Sequence, residues 1–310
     1  MCGRISCHMC RPDYRKATSY FDDKRSRYVQ PDWIDTSNCG LSFTPSTNMA
    51  PTEILPVIIS NKNEPVKEDS TERVIKPMMW GMIPSWHKGD YKSHGLTTNN
   101  CRIENLPESK LYSKALRNGQ RCVIGVQGFY EWQTTKGKGQ AKQPYFIKAT
   151  QSSNVGPVEE SSSWENAAWD ETSGWAGPKL LMMAGLFDTW SSPQGDEMFS
   201  FTIITMESNK LFSWLHHRIP AILDSEELIS KWLDSTGVPG MAAVRLLQPS
   251  SILSWHPVST VVNNARNKDL NCNKPIDLQK PKPTNRIMDS WLKRKAPSDD
   301  SKPAKKSKDD

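Results

Sequence analysis

A cysteine at position 2 can carry two nucleophiles on adjacent carbons. Once Met1 is removed, as a small second residue permits, Cys2 presents an α-amine and a thiol together, a 1,2-aminothiol. Reference pKa values of about 7.7–8.0 for the amine and about 8.5 for the thiol leave a useful fraction of nucleophilic amine near neutral pH. Such a group captures aldehydes. The amine adds to the carbonyl to give an imine, and the thiol then closes a five-membered thiazolidine ring. That closure is intramolecular, so its entropic cost is largely met in advance. Position alone equally allows Cys2 to be an ordinary second residue, so its companions must decide.

Three other stretches hold chemistry-bearing side chains. Asn99-Asn100-Cys101-Arg102-Ile103-Glu104 sets an amide, a guanidinium and a carboxylate at alternate positions. In a strand Asn100, Arg102 and Glu104 would share one face, as a solvated surface or as a site. Gly128-Phe129-Tyr130-Glu131-Trp132 sets one carboxylate among aromatics. Burial there would raise the pKa of Glu131 and let it trade protons near neutral pH; a strand-end Glu facing water is the alternative. Leu215-His216-His217-Arg218-Ile219-Pro220 puts an imidazole beside a cation, ahead of a proline-fixed apolar run. A neighbouring cation lowers an imidazole pKa and favours the neutral form. Cys2, Cys7, His8 and Cys10 are of zinc-ligand type, but no second pair follows at finger-like spacing, so neither a metal nor another cofactor is expected.

The elements that must position these groups are mostly short β-runs. Strand-like segments are Cys2–Ile5, Leu55–Ile59, Arg121–Val126, Tyr145–Lys148, Leu180–Phe187, Phe199–Thr205 and Trp255–Ser259. Ser191 to Glu197 with Pro-Gln-Gly-Asp reads as a hairpin connection. Helical patterns are few: a polar stretch from Arg11-Pro12 to Gln30, Leu111–Asn118 ended by Gly119, and a scaffold helix opening at Asp224-Ser225-Glu226-Glu227. Trp80 and Trp86 flank a Gly- and Pro-directed turn. Residues 151–178 are rich in Ser, Glu, Gly and Asn and read as a mobile acidic surface insertion. This pattern argues an α+β domain, mainly antiparallel β with a barrel-like core and peripheral helices.

With 310 residues, 36% hydrophobic, the chain can bury a substantial core. No apolar run reaches transmembrane length and the amino terminus lacks a signal-like apolar stretch, so an intracellular protein without membrane association is expected. Seven unevenly spaced cysteines fit a reduced compartment. Of the net charge of +6, the chain from Lys268 onward carries +5, from 12 Lys/Arg against 7 Asp/Glu. The body therefore has no bulk electrostatic claim on nucleic acid, and any such claim must come from local patches. Twelve tryptophans are many for this length, and exposed ones near arginine would suit stacking on bases. The tail, 271–310, is rich in Pro, Lys, Ser and Asp and reads as disordered, with basic clusters at Lys293-Arg294-Lys295 and Lys305-Lys306.

Seven motifs, in order, resemble the SRAP (SOS-response-associated peptidase) family and most closely its animal members. They are Met-Cys-Gly-Arg at 1–4, Ala-Pro-Thr at 50–52, Trp-Gly-Met-Ile-Pro-Ser-Trp at 80–86, Asn-Cys-Arg-Ile-Glu at 100–104, Gly-Phe-Tyr-Glu-Trp at 128–132, His-His-Arg-Ile-Pro at 216–220 and Trp-His-Pro-Val-Ser at 255–259. Met82 and Ile219 stand where Leu and Met are more frequent, both apolar exchanges. The resemblance implies one SRAP-type domain over about residues 1–270. It also implies a covalent thiazolidine crosslink between Cys2 and the ring-opened aldehyde of an abasic site in single-stranded DNA, which senses and shields the lesion at replication forks. Asn100 would orient the amine or the sugar, Glu131 would handle protons, and His216 would assist imine chemistry, strand cleavage or crosslink reversal. Gly3, Arg4, Pro51, Trp80, Trp86, Arg102, Trp132 and Arg218 would contact DNA, with Arg4 and Arg102 on phosphates and Pro51 and Trp132 as wedges.

The same resemblance implies a monomeric nuclear protein. Residues 285–292 are similar to a degenerate PCNA-interacting box, with Asn285 in place of Gln, Met288 at the aliphatic position and Trp291-Leu292 in place of the aromatic pair. A competing class is an N-terminal-nucleophile amidohydrolase or peptidase, in which the Cys2 thiol attacks an amide and an oxyanion hole is required. Another is a DNA-binding module in which Cys2 is incidental.

Overall fold

The computed structural model describes residues 2–63, 70–134 and 142–279; Met1 and the box at 285–292 lie outside the described residues. The strands that position the site are, in chain order, β1 (Ile5–Cys7), β2 (Ser46–Met49), β3 (Ile54–Ser60), β4 (Arg73–Trp80), β5 (Asn100–Arg102), β6 (Arg121–Val126), β7 (Gly128–Trp132), β8 (Pro144–Ala149), β9 (Leu181–Ser191), β10 (Glu197–Glu207), β11 (Arg218–Pro220) and β12 (Leu253–Pro257).

Five of these strands close on themselves. The antiparallel order β10-β9-β6-β3-β4 is completed by a parallel contact between β4 and β10, Met79 opposite Ser200 and Trp80 opposite Phe201. The result is a five-stranded barrel whose β3 and β4 are buried along their whole length; β3 reads as an apolar run from Ile54 to Ile59, while β4 also buries Arg73 and Lys76. Prolines inside two barrel strands fall on one rung, Pro56 opposite Pro77, so the missing donors coincide. The Pro56 carbonyl accepts from Tyr14 Oη at 3.1 Å and that of Pro77 from Thr36 Oγ1 at 3.0 Å. β11 and β5 extend the barrel wall along β10.

The second sheet is wholly antiparallel, in the order β12-β8-β7-β1-β2. The chain leaves the barrel for this sheet through one residue, Gln127, whose N–H donates to Ser6 O at 3.1 Å. Gly128 must follow it. A Cβ there would stand 2.4 Å from the carbonyl oxygen of Ile147 and 2.5 Å from the Phe146 ring. Gly81, after β4, has φ +123°, which L side chains rarely adopt, and its N–H donates to Phe201 O at 2.8 Å. Met1–Ile276 forms one compact unit.

The fold is the expected α+β arrangement of mainly antiparallel strands with peripheral helices. Local expectations need four corrections. The ladder begins at Ile5, and Cys2-Gly3-Arg4 approaches it without pairing as a strand. The stretch 11–30 is helical only over Arg11–Ala17 and then forms a hairpin, Tyr20–Asp22 with Arg27–Val29. Glu104 does not continue the face of Asn100 and Arg102, because the chain turns into a 3-10 helix at Ile103–Asn105. Residues 151–178 hold a short helix, Ser162–Glu165, and a strand pair, and Trp164 is fully buried and stacked on Trp175 at 6.4 Å, so this stretch is packed against the core rather than loose. Burial of apolar surface by its tryptophans outweighs the polar composition that suggested a mobile loop.

Candidate active site

Cys2 is 1% exposed, and its carbonyl accepts a hydrogen bond of 2.6 Å from Asn100 Nδ2. Asn100 is delivered by β5, which lies parallel to β10 with Asn100 opposite Ile203. Its other amide atom, Oδ1, is buried with no hydrogen-bond partner among the described residues. Burial pushes the Cys2 thiol well up, and the nearby negative charge of Glu131 raises it further. Cys2 is therefore stored as a neutral thiol within the field of the Glu131 carboxylate.

Glu131 sits on β7, the middle strand of the second sheet, and is 4% exposed. Tyr130 N–H donates to Arg4 O at 2.9 Å, continuing the register of Ile5 opposite Phe129 and bringing the amino terminus alongside Glu131. Burial raises its carboxyl above the usual range, as its aromatic setting implied. Phe129, on the same face two residues earlier, packs against Phe212 with ring centroids 6.1 Å apart. Leu215 O accepts from Thr134 N–H at 3.1 Å. Together these contacts lay the turn that ends at His216 over the face carrying Glu131.

His216 is 6% exposed, and its Nδ1 accepts the Arg218 backbone N–H at 2.9 Å. A neutral ring that accepts at Nδ1 carries its proton on Nε2. Burial is the largest cause that holds this imidazole down at about 4, and His217, stacked on it at 4.4 Å, adds to the effect. The low pKa expected from the sequence is present, but its main source is burial rather than the Arg218 cation. That guanidinium turns away: Nη1 and Nη2 donate to the two Glu104 oxygens at 2.7 and 2.9 Å, and Nη2 also donates to Thr205 O at 2.7 Å.

The remaining sequence-selected residues fall into two groups. Around the Cys2 strand, Arg4 donates through Nη1 to Asn48 Oδ1 at 2.8 Å and to Val262 O at 2.5 Å, and lies 5.8 Å over the Trp132 ring. Trp132 is half-buried and donates from Nε1 to Asn263 Oδ1 at 2.7 Å. Gly3 and Pro51 are half-buried; Pro51 precedes Thr52, whose φ of 78° is rare for a β-branched residue and is held by its N–H to Trp80 O at 2.7 Å. Arg102 is exposed next to Asn100. Of the second group, two are buried and one is exposed. Trp80 is fully buried, its indole N–H tied to Asn99 O at 2.9 Å; Arg218 is 8% exposed and engaged as described; Trp86 is 55% exposed beyond the Gly81 turn. Cys7 is fully buried and the Cys10 thiol donates to Asp13, and no cluster of three or more His, Cys, Asp or Glu able to hold a metal occurs among the described residues.

Two residues were not singled out by sequence. Asn48, fully buried, spans the site's edge by donating to Asn264 O at 3.0 Å and Asn267 O at 2.7 Å, anchoring the 260–268 segment beneath Arg4. Lys142 is exposed, and its positive charge acts on both Glu131 and His216. The Asn48 bonds and the action of Lys142 on His216 join residues far apart in the chain, which local pattern does not register.

A buried thiol beside a carboxyl poised to exchange protons and a neutral imidazole suits proton-coupled addition to a carbonyl carbon. The profile of the SOS response associated peptidase (SRAP) family matches residues 1–265. The chain is 40% identical over 315 residues to abasic site processing protein HMCES of Pongo abelii, an alignment covering 97% of this chain and 85% of that one. It is 30% identical over 269 residues to abasic site processing protein YoqW of Bacillus subtilis, covering 86% and 96%. A crystal structure of a protein from Bacteroides thetaiotaomicron superposes with a TM-score of 0.55 at 20% identity, over 75% of this chain and 86% of that one, a likeness of fold.

Proposed function

The chain belongs to the SOS response associated peptidase (SRAP) family, and from that membership we propose that it processes abasic sites in single-stranded DNA by forming a covalent thiazolidine through Cys2. The observation that carries this reading is the setting of Cys2: carbonyl fixed by Asn100, thiol buried against the charge of Glu131. A ring-opened abasic sugar offers an aldehyde with no base to extrude, so its capture needs no flipping energy.

Removal of Met1 exposes the Cys2 amine, which adds to the aldehyde carbon to give a carbinolamine. Glu131, its buried carboxyl raised above the usual range, gives a proton to the departing hydroxyl, so that water leaves and an imine remains. The thiol adds to the imine carbon while its proton passes to the carboxylate and on to the nitrogen. The net change is the loss of one water. Asn100 holds the Cys2 backbone so that amine and thiol reach one carbon, and its buried Oδ1 offers the amine an acceptor. His216, proton on Nε2, donates toward sugar oxygens during ring opening or release. Arg4 and Arg102 give affinity independent of sequence, and Pro51 and Trp132 exclude a continuous partner strand. The same reading places the protein in the nucleus at replication forks as a monomer, with residues 285–292 as a weak PCNA contact.

Intact-mass spectrometry of the mature protein with a single-stranded oligonucleotide carrying one abasic site tests the proposal. The expected product weighs the sum of the two less one water and is lost in Cys2→Ala, which still binds the DNA. An unmodified wild-type protein would sink the reading, and turnover of peptides by the same preparation would favour the amidohydrolase.

A further inference from the structure

Beside the trap lies an aromatic surface that the chemistry above does not use. Residues directly opposite in an antiparallel pair point to one face. Glu131 is opposite Tyr145, and Ile147, two residues on, is opposite Trp255, so Glu131, Tyr145 and Trp255 share a face of the second sheet. Trp214, two residues before His216, fills the gap between them. Its ring meets Tyr145 edge-on at 5.1 Å and Trp255 at 5.6 Å. All three rings are half-buried, which leaves part of each in solvent. Gln133 N–H donates to Gln143 O at 3.0 Å, which holds the exposed Lys142 beside the ends of β7 and β8, where its charge acts on Glu131 and His216.

Resting on the reading of Cys2 as a trap for an abasic site, we propose that Tyr145, Trp214 and Trp255 form a stacking platform for a base flanking the lesion on the same single strand, with Lys142 on the intervening phosphate. Glu131, opposite Tyr145, and His216, two residues after Trp214, tie this surface to the trap. Rings accept any base by its π face, and a cation beside them meets a phosphate, so the platform suits a strand read without sequence preference. It lies across the sheet from Trp132, whose ring is on the opposite face of β7 and caps Arg4. The two aromatic sites therefore hold the strand on either side of the lesion.

The test uses the full chain carrying Cys2→Ala and noncovalent binding, read by fluorescence anisotropy, to a single-stranded oligonucleotide with one tetrahydrofuran abasic analogue. A second tetrahydrofuran is then stepped through the flanking positions. Loss of one flanking base on one side should weaken binding about tenfold, the scale of a single stacked base. Trp255→Ala should weaken binding to the base-bearing strand by a similar factor and be indifferent to the second tetrahydrofuran at that position, and Trp255→Phe should restore the discrimination. Lys142→Gln should lower the slope of log affinity against log salt by about one phosphate's share. The platform is overturned if no flanking base matters, or if Trp255→Ala loses the same factor on both strands; an unchanged salt slope overturns the Lys142 contact. Adduct formation by the wild type is a separate readout, so capture can hold while the platform fails.

Discussion

Arg218 serves His216 through its backbone, not its charge. Its N–H donates to His216 Nδ1 at 2.9 Å, while its guanidinium is fixed bidentately on Glu104. The ion pair thus fixes the residue that fixes the imidazole tautomer. Removing Glu104 leaves a guanidinium that is 8% exposed without its carboxylate. Because Glu104 is itself half exposed, with a side-chain exposure of 50%, the cost should fall below that of a fully buried pair, about 1–3 kcal/mol. Glu104→Ala should therefore lower the midpoint of thermal unfolding and slow adduct formation, while affinity of the Cys2→Ala background for single-stranded DNA changes little. Unfolding scans and adduct time courses check it.

Two imidazoles should make the protein acid-labile. Burial holds His8 and His216 each down at about 4, against an ordinary value of 6.5. Between those values the unfolded chain binds more protons than the folded one, so stability rises with pH there and is lost as pH falls from 6.5 toward 4. Each ring should contribute on the order of 1–3 kcal/mol to that loss. Glu131, shifted upward, works in the opposite sense, since its burial weakens the fold as it ionises. The clean measurement is the difference between wild type and His216→Gln in denaturant titrations at pH 7 and pH 4.5: the gap should shift in the variant's favour at the lower pH.

The elements most legible in sequence are those whose cause is local. The strand runs of β3, β9 and β10 follow from burial on both faces, and the hairpin between Ser191 and Glu197 from its turn residues. Glu131 among aromatics was readable because burial of that strand follows from its own composition. The barrel closure through Met79–Ser200 and Trp80–Phe201 was not, since two parallel rungs between strands over a hundred residues apart leave no local pattern. Arg218 misleads for a related reason: an arginine beside two histidines looks like a cation facing ligand, and only the fold brings Glu104 to it. Trp164 and Trp175 gave the 151–178 stretch its packed core despite a polar average, which composition alone averages away.

Glu131 should set the pH dependence of adduct formation. Its buried carboxyl titrates above the usual range, so if it donates the proton that expels water, the rate should fall as pH rises through that raised value. Glu131→Gln should slow formation by about 10²–10⁴-fold and remove that limb of the pH–rate profile. Its noncovalent affinity for single-stranded DNA should persist. A variant that keeps the wild-type profile would remove Glu131 from proton transfer.

The last prediction concerns the entry to β7. Gly128 carries no catalytic group, yet Glu131 and Trp132 reach the site only because the chain passes there within contact of Ile147 and Phe146. A Cβ at 2.4 Å from a backbone oxygen and 2.5 Å from a ring cannot be absorbed by rotating one side chain, because Phe146 is itself fully buried between Tyr130 and His256. Gly128→Ala should destabilise the fold by about 3 kcal/mol, at the upper end of overpacking costs, and push β7 away from β8. Because Cys2 lies just ahead of β1, which pairs with β7, the adduct rate should fall in the protein that remains folded. Gly195→Ala is the matching control: its φ of +91° imposes strain, but nothing lies within 4 Å of the added methyl and the site is far along the chain, so its adduct rate should stay at the wild-type value. Chemical denaturation beside adduct kinetics separates the two variants, and equal adduct rates in both would show that the crossing at Gly128 does not position the site.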